Sequence, residues 1–85
     1  MNIDEAVSLI RAIPDYPKPG ILFQDITPML SNGAALDAVI THIAELDQAS
    51  DVVIGIEARG FILASALATK RTIGFVPILP PGKSF

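Results

Sequence analysis

Asp51-Val52-Val53-Ile54-Gly55-Ile56-Glu57-Ala58-Arg59-Gly60-Phe61 is the stretch on which the fold turns. Its first half is apolar and β-branched, the composition of a strand buried on both faces of a sheet. The chain then turns through Glu57-Ala58-Arg59-Gly60 into Phe61-Ile62-Leu63-Ala64-Ser65-Ala66-Leu67-Ala68, which reads as a helix over 60–69. Open α/β sheets bind their ligands where a strand ends in a glycine-containing turn and enters a helix. The amides of such a turn and the helix N-terminus favour an anion, phosphate above all. Arg59 adds a permanent cation and a planar fork of donors. A surface ion pair is the competing reading of that arginine.

Downstream, Lys70 and Arg71 suit the negative end of the helix dipole, and no further role is assigned to them. Ile73-Gly74-Phe75-Val76-Pro77-Ile78-Leu79 reads as a second strand. A helix between two strands implies a right-handed parallel crossover. Pro80-Pro81-Gly82-Lys83-Ser84-Phe85 follows.

Upstream, Ser31-Asn32-Gly33 is a turn and cap, and Leu36, Val39, Ile40, Ile43 and Leu46 recur at helical spacing, so 34–46 is predicted to be an amphipathic helix. His42 lies off that apolar stripe, and without a second histidine or a cysteine it suggests no metal site. Residues 13–28 carry four prolines and a glycine, which forbid a continuous helix. This segment is expected to be irregular, yet Ile21, Leu22, Phe23 and Ile26 make it too apolar for a solvated loop. It is either a structural arm or a binding loop in which Phe23 stacks on a flat ligand while the backbone of Leu22 and Gln24 reads its edge. At the start, Asn2 and Glu5 have capping-box spacing, and Ile3, Val7 and Ile10 share a face, predicting a helix over 3–12 that stops before Pro14.

Composition bounds the possibilities. Eighty-five residues make one small domain, and 51% apolar content is enough for a core. A single α/β layer of this size is expected to be marginally stable. The net charge of −3 argues against nucleic-acid and anionic-membrane partners. The absence of cysteine excludes disulfides, thiolate metal sites and cysteine nucleophiles, and fits a cytoplasmic protein. The chain start has no basic segment followed by an apolar run, so no signal peptide is expected, and no apolar stretch approaches bilayer length.

Two segments carry a family resemblance. Pro14-Asp15-Tyr16-Pro17-Lys18-Pro19-Gly20-Ile21-Leu22-Phe23-Gln24-Asp25-Ile26-Thr27-Pro28 is similar to the N-terminal hood segment of adenine phosphoribosyltransferases. Gly55-Ile56-Glu57-Ala58-Arg59-Gly60-Phe61 resembles their pyrophosphate loop, and Gly74-Phe75-Val76-Pro77 with Pro81-Gly82-Lys83 resembles the strand and loop that follow. Two long motifs in register are far more specific than a lone glycine-rich turn.

The resemblance implies an α/β fold: the N-terminal part of a type I phosphoribosyltransferase, a Rossmann-like parallel sheet with flanking helices, incomplete within 85 residues. It implies one partial domain over 1–85, with a base-binding hood segment at 13–30 and a strand–loop–helix–strand unit at 51–79. The implied reaction is purine salvage, in which adenine displaces pyrophosphate from phosphoribosyl pyrophosphate, with Mg²⁺, to give AMP, usually in a homodimer. Carried over position by position, Phe23 would stack on adenine while the main chain of Leu22 and Gln24 bonds its edge. Glu57, Ala58, Arg59 and Gly60 would form the pyrophosphate loop, with a cis peptide between Glu57 and Ala58, and Lys83 matches a lysine that approaches pyrophosphate. Cations and amides aimed at the leaving group would stabilise its developing charge.

Departures from the family pattern accompany these matches. Leu79-Pro80 stands where the family commonly has Arg-Lys before Pro-Gly-Lys, and Gln24 replaces a usual arginine. The family's general acid or base, its flexible loop and its 5′-phosphate loop match nothing in this chain. Two classes of function therefore follow: an adenine phosphoribosyltransferase, or a catalytically inactive remnant that binds a purine or a partner.

Overall fold

The computed structural model describes residues Met1–Ser84 as two compact units, Met1–Val39 and Ile40 onward. The first unit opens with helix α1 (Ile3–Val7). Asn2 Oδ1 accepts from the Glu5 amide at 2.8 Å, and Glu5 Oε1 accepts from the Asn2 amide at 3.3 Å, so the capping box forms as its spacing predicts. The helix stops five residues short of the 3–12 expected. Its last turn tightens through bonds from Leu9 N–H to Ala6 O and from Ile10 N–H to Val7 O, and the chain then becomes extended.

Strand β1 (Arg11–Pro14) pairs antiparallel with β2 (Leu22–Asp25), in the register Arg11↔Asp25, Ala12↔Gln24, Ile13↔Phe23, Pro14↔Leu22. This hairpin replaces the irregular 13–28 segment of the sequence reading. Ile13, just beyond the expected helix, lies opposite Phe23 in the sheet. Proline also biases the residue before it toward extended backbone, which favours β1 over another helical turn. At the open end, Arg11 Nη2 bonds Asp25 Oδ2 at 2.7 Å. A short helix α2 (Thr27–Leu30) follows, with Pro28 in its first turn, where a missing N–H costs nothing.

Helix α3 (Gly33–Leu46) runs from the first unit into the second. The Asn32 side chain caps it, accepting from the Ala35 amide at 3.1 Å. In the second unit, strand β3 (Val52–Ile56), helix α4 (Arg59–Arg71) and strand β4 (Gly74–Ile78) form a β–α–β crossover, and the two strands are parallel with Val52↔Gly74 through Ile56↔Ile78 in register. These bounds lie within two residues of those read from sequence. Helix α4 covers the face carrying Val53, Gly55, Phe75 and Pro77, and its own Ala64, Leu67 and Ala68 are buried.

One expectation about this sheet does not hold. Residues 51–56 read as a strand buried on both faces, but Ile54 and Ile56 are 60% and 68% exposed, and Val52, Val76 and Ile78 share that open face. The apolar run has a period of two, and within these residues α4 covers only one side.

The end of α4 is held in two ways. Thr72 takes the left-handed C-cap conformation, φ 57°, ψ 47°, and its N–H and that of Ile73 return to carbonyls of the last turn. Arg71 Nη1 approaches Asp47 Oδ2 at 3.9 Å, and that carboxylate also accepts from the Ser50 hydroxyl. No helix among the described residues is long and apolar enough to cross a membrane.

Candidate functional site

The candidate anion site of the second unit starts from a close approach. Gly55 is buried in the middle of β3, and a Cβ there would run into Gly60 O and Ala64 of α4 and the ring of Phe75. Only a residue without a side chain lets the helix start so near the strand. Phe61 and Phe75 meet edge to face behind it, centroids 5.9 Å apart. The two residues between strand and helix, Glu57 and Ala58, are thereby held in a short turn. The Glu57–Ala58 peptide is cis, as the resemblance implies.

Helix α4 then begins without a side-chain cap: the side chain of Ala58 at the N-cap has no oxygen, and no acidic residue occupies the first turn. The Phe61 amide donates to the Ala58 carbonyl at 3.1 Å, and the turn lies at the positive end of the helix dipole. Glu57, Ala58 and Arg59 are exposed and Gly60 is half-buried. The segment after β4 comes back to this turn. Lys83 N–H donates to Pro80 O at 3.2 Å, Gly82 takes φ 85°, and Lys83 Nζ reaches Glu57 Oε2 at 3.2 Å. The structure therefore gathers Glu57, Ala58, Arg59, Gly60 and Lys83 around one turn. Two cations and one carboxylate give it a net positive charge. Leu79 is half-buried and Pro80 exposed, and neither supplies charge.

The candidate base segment belongs to the first unit. Leu22 and Gln24 are exposed on β2 and Phe23 is half-buried, following the alternation of a strand. Tyr16 meets Phe23 edge to face with centroids 5.3 Å apart. Asp25 ends the strand and initiates α2: its carboxylate accepts from the Thr27 amide at 3.0 Å. Bonds from the Thr27 amide and hydroxyl, and then the Arg11 guanidinium, hold its carboxyl below the ordinary carboxylate range. Tyr16, Gly55 and the Arg11–Asp25 pair did not emerge from the sequence. Gly55 had a usable signal, since a glycine inside a strand pattern marks close backbone approach.

With the geometry described, the chain can be set beside known proteins. No family model matches it. It is 51% identical over 76 residues to the adenine phosphoribosyltransferase of Parasynechococcus marenigrum, covering 87% of this chain and 44% of that protein. It is 57% identical over 76 residues to the enzyme of that name from Rhodopirellula baltica, covering 87% of this chain and 37% of that one. The crystal structure of the Giardia lamblia APRTase complexed with 9-deazaadenine superposes with a TM-score of 0.91 at 41% identity, over all of this chain and 48% of that one. Over nearly all of its length the chain is similar in sequence and fold to about half of an adenine phosphoribosyltransferase, which fits the N-terminal portion of such enzymes. It spans about half the length or less of the relatives it matches. The fold is α/β, and the parallel β3–α4–β4 unit is the part of it that the sequence foretold.

The resemblance implies magnesium. Among the described residues no three His, Asp or Glu side chains gather, and Glu57 is engaged by Lys83. These residues do not form a resident magnesium site.

Proposed function

We propose that this chain is the base- and pyrophosphate-recognising portion of an adenine phosphoribosyltransferase, acting in purine salvage. The reaction joins adenine to phosphoribosyl pyrophosphate and releases AMP and pyrophosphate. The observation that carries this reading is the likeness to enzymes of that name, one of them solved with 9-deazaadenine. In unit one, Phe23 stacks on adenine, and the main chain of Leu22 and Gln24 bonds its edge. In unit two, the amides around Ala58 and Gly60, with Arg59 and Lys83, hold pyrophosphate, and Glu57 belongs to the same loop, paired with Lys83. Magnesium arrives with the phosphoribosyl pyrophosphate, as part of the substrate. The assembly is a cytoplasmic homodimer. Residues 1–85 act as one partial domain, with 13–30 the base-binding hood and 51–79 the pyrophosphate-binding unit.

The chemistry suits these residue types. As the bond from ribose C1 to the pyrophosphate oxygen breaks, negative charge grows on the leaving group. Arg59, Lys83 and fixed amides are more favourable to that charge than to the ground state. A stacked base holds its attacking nitrogen in line with C1. No described residue is assigned as general acid or base.

A hybrid tests the proposal. Residues 1–84 replace the matching portion of the Parasynechococcus marenigrum enzyme, and AMP formation is followed. The hybrid is expected to be active, and Arg59→Ala to lower kcat/KM by about 10²-fold or more. A folded hybrid without activity overturns the reading. Binding without turnover is the second reading, favoured by Leu79 and Pro80 at positions where the resemblance leads one to expect two cations. The hybrid also separates the two, because replacing Leu79 by arginine should raise its activity if the cation is what is missing.

A further inference from the structure

The loop of the first-unit hairpin holds an aromatic residue to which the resemblance assigns no role. Tyr16 lies between β1 and β2, and its ring meets Phe23 with centroids 5.3 Å apart and planes at 68°. The loop fixes the tyrosine by its own bonds. Tyr16 N–H donates to Ile21 O at 3.1 Å, one step beyond the Pro14↔Leu22 pair. Asp15 takes φ 57°, and its carboxylate accepts from the Gly20 amide at 2.9 Å. Gly20 takes φ 86°, and Ile21 N–H closes a turn on Lys18 O at 3.2 Å. Asparagine, aspartate and glycine are the residues that tolerate such backbone, and two of those types stand at the two positions that need it.

We propose that Tyr16 is a positioning residue: it fixes the plane of the Phe23 ring against which a purine base stacks. The inference rests on the base-binding reading of Phe23. A phenyl group rotates broadly about its second torsion, and Phe23 is only half-buried, so the strand alone sets its position but not its plane. An edge-to-face neighbour removes that freedom. Stacking depends on the plane, because aromatic pairs gain from offset-parallel or edge-to-face geometry and lose it between. Tyr16 itself is 52% exposed, so its removal opens no core cavity. The brace acts through the ring, and the hydroxyl is not required.

The chain has one tyrosine and no tryptophan, so the tyrosine band of its near-ultraviolet circular dichroism, at longer wavelength than the bands of its four phenylalanines, and its fluorescence above 300 nm report on Tyr16 alone. In the purified chain without ligand, Phe23→Leu should change the Tyr16 dichroism; an unchanged band refutes the contact in solution. Adenine and pyrophosphate affinities are then measured by ligand-observed NMR. Tyr16→Ala is expected to weaken adenine binding about 2- to 10-fold, with pyrophosphate affinity and thermal stability unchanged, and Tyr16→Phe to restore it. Wild-type adenine affinity in Tyr16→Ala, alongside a loss in Phe23→Ala, overturns the role of Tyr16 and leaves that of Phe23. An equal loss in Tyr16→Phe overturns the ring brace. Wild-type affinity in Phe23→Ala, or no adenine binding by the unaltered chain, overturns the base-binding reading and this inference with it.

Discussion

Replacing Gly55 by alanine should damage the second unit more than any comparable change of one methyl group. A Cβ at that position would lie 2.8 Å from Phe75 Cε1, 2.9 Å from Gly60 O and 3.0 Å from Ala64 Cβ, each 0.4–0.6 Å inside the 3.4 Å at which ordinary contact begins. The Phe75 ring could tilt, but it is already engaged edge to face with Phe61. Gly60 O is backbone in the first turn of α4, and Ala64 lies one turn further, so relief means moving the helix away from the strand. Overpacking of this kind costs about 1–3 kcal/mol. The stiffer unfolded chain offsets about 0.4–1 kcal/mol of it. A net loss of about 1–2 kcal/mol lowers the melting temperature of a domain this size by about 4–15 °C. Thermal unfolding of dilute protein, followed by circular dichroism, measures the loss. Gly33→Ala is the control, since a Cβ there meets nothing within 4 Å and the position lies in a helix. It should leave stability unchanged or raise it by up to about 1 kcal/mol. Because Gly60 must shift, Gly55→Ala should also weaken pyrophosphate binding. Equal stabilities for the two variants would refute the claim that the strand–helix approach depends on Gly55.

Three further outcomes are expected. Asp25 has its carboxyl lowered first by the Thr27 amide, so its contribution to stability is complete above the ordinary carboxylate range and is lost as pH falls through the lower folded value; an acid titration of stability should steepen below about pH 4, and Asp25→Asn should remove that part of the slope. Glu57→Gln frees Lys83 and removes a like charge from the anion turn, so pyrophosphate affinity should rise about two- to five-fold, as for an exposed pair; calorimetric titration that shows a fall would mean the carboxylate holds the turn together. Thr72 is a β-branched residue at φ 57°, so Thr72→Gly should stabilise the chain by about 1 kcal/mol in a urea melt, and a destabilised variant would show that its side chain matters more than its backbone.

What could be read in advance was local. The β3–α4–β4 crossover follows from a β-branched run, a glycine-containing turn and an apolar helix within thirty residues, and each signal agrees with its neighbours. The Asn2 cap was legible for the same reason. The hairpin was not, because its pairing joins Arg11 to Asp25 across a loop whose prolines and glycine mask the alternation of Leu22, Phe23, Gln24 and Asp25. Ile3, Val7 and Ile10 fit a helix, and tertiary pairing overrode that local preference beyond Val7. In the candidate site, Arg59 and Gly60 were visible from their turn. The meeting of Lys83 with Glu57 was not, since it depends on the path of β4 and the loop after it.

The alternation of β3 has a thermodynamic consequence of its own. Val52-Val53-Ile54-Gly55-Ile56 puts its smallest residue toward α4 and its bulkiest ones on the other side. The helix thereby gains closeness, while Ile54 and Ile56 keep more than half of their surface in water. Covering each would contribute about 1–2 kcal/mol. Any apolar surface that meets that face binds the folded unit and not the unfolded chain, so it shifts the folding equilibrium by mass action. The melting temperature of this polypeptide will therefore vary with its concentration and with the company it keeps.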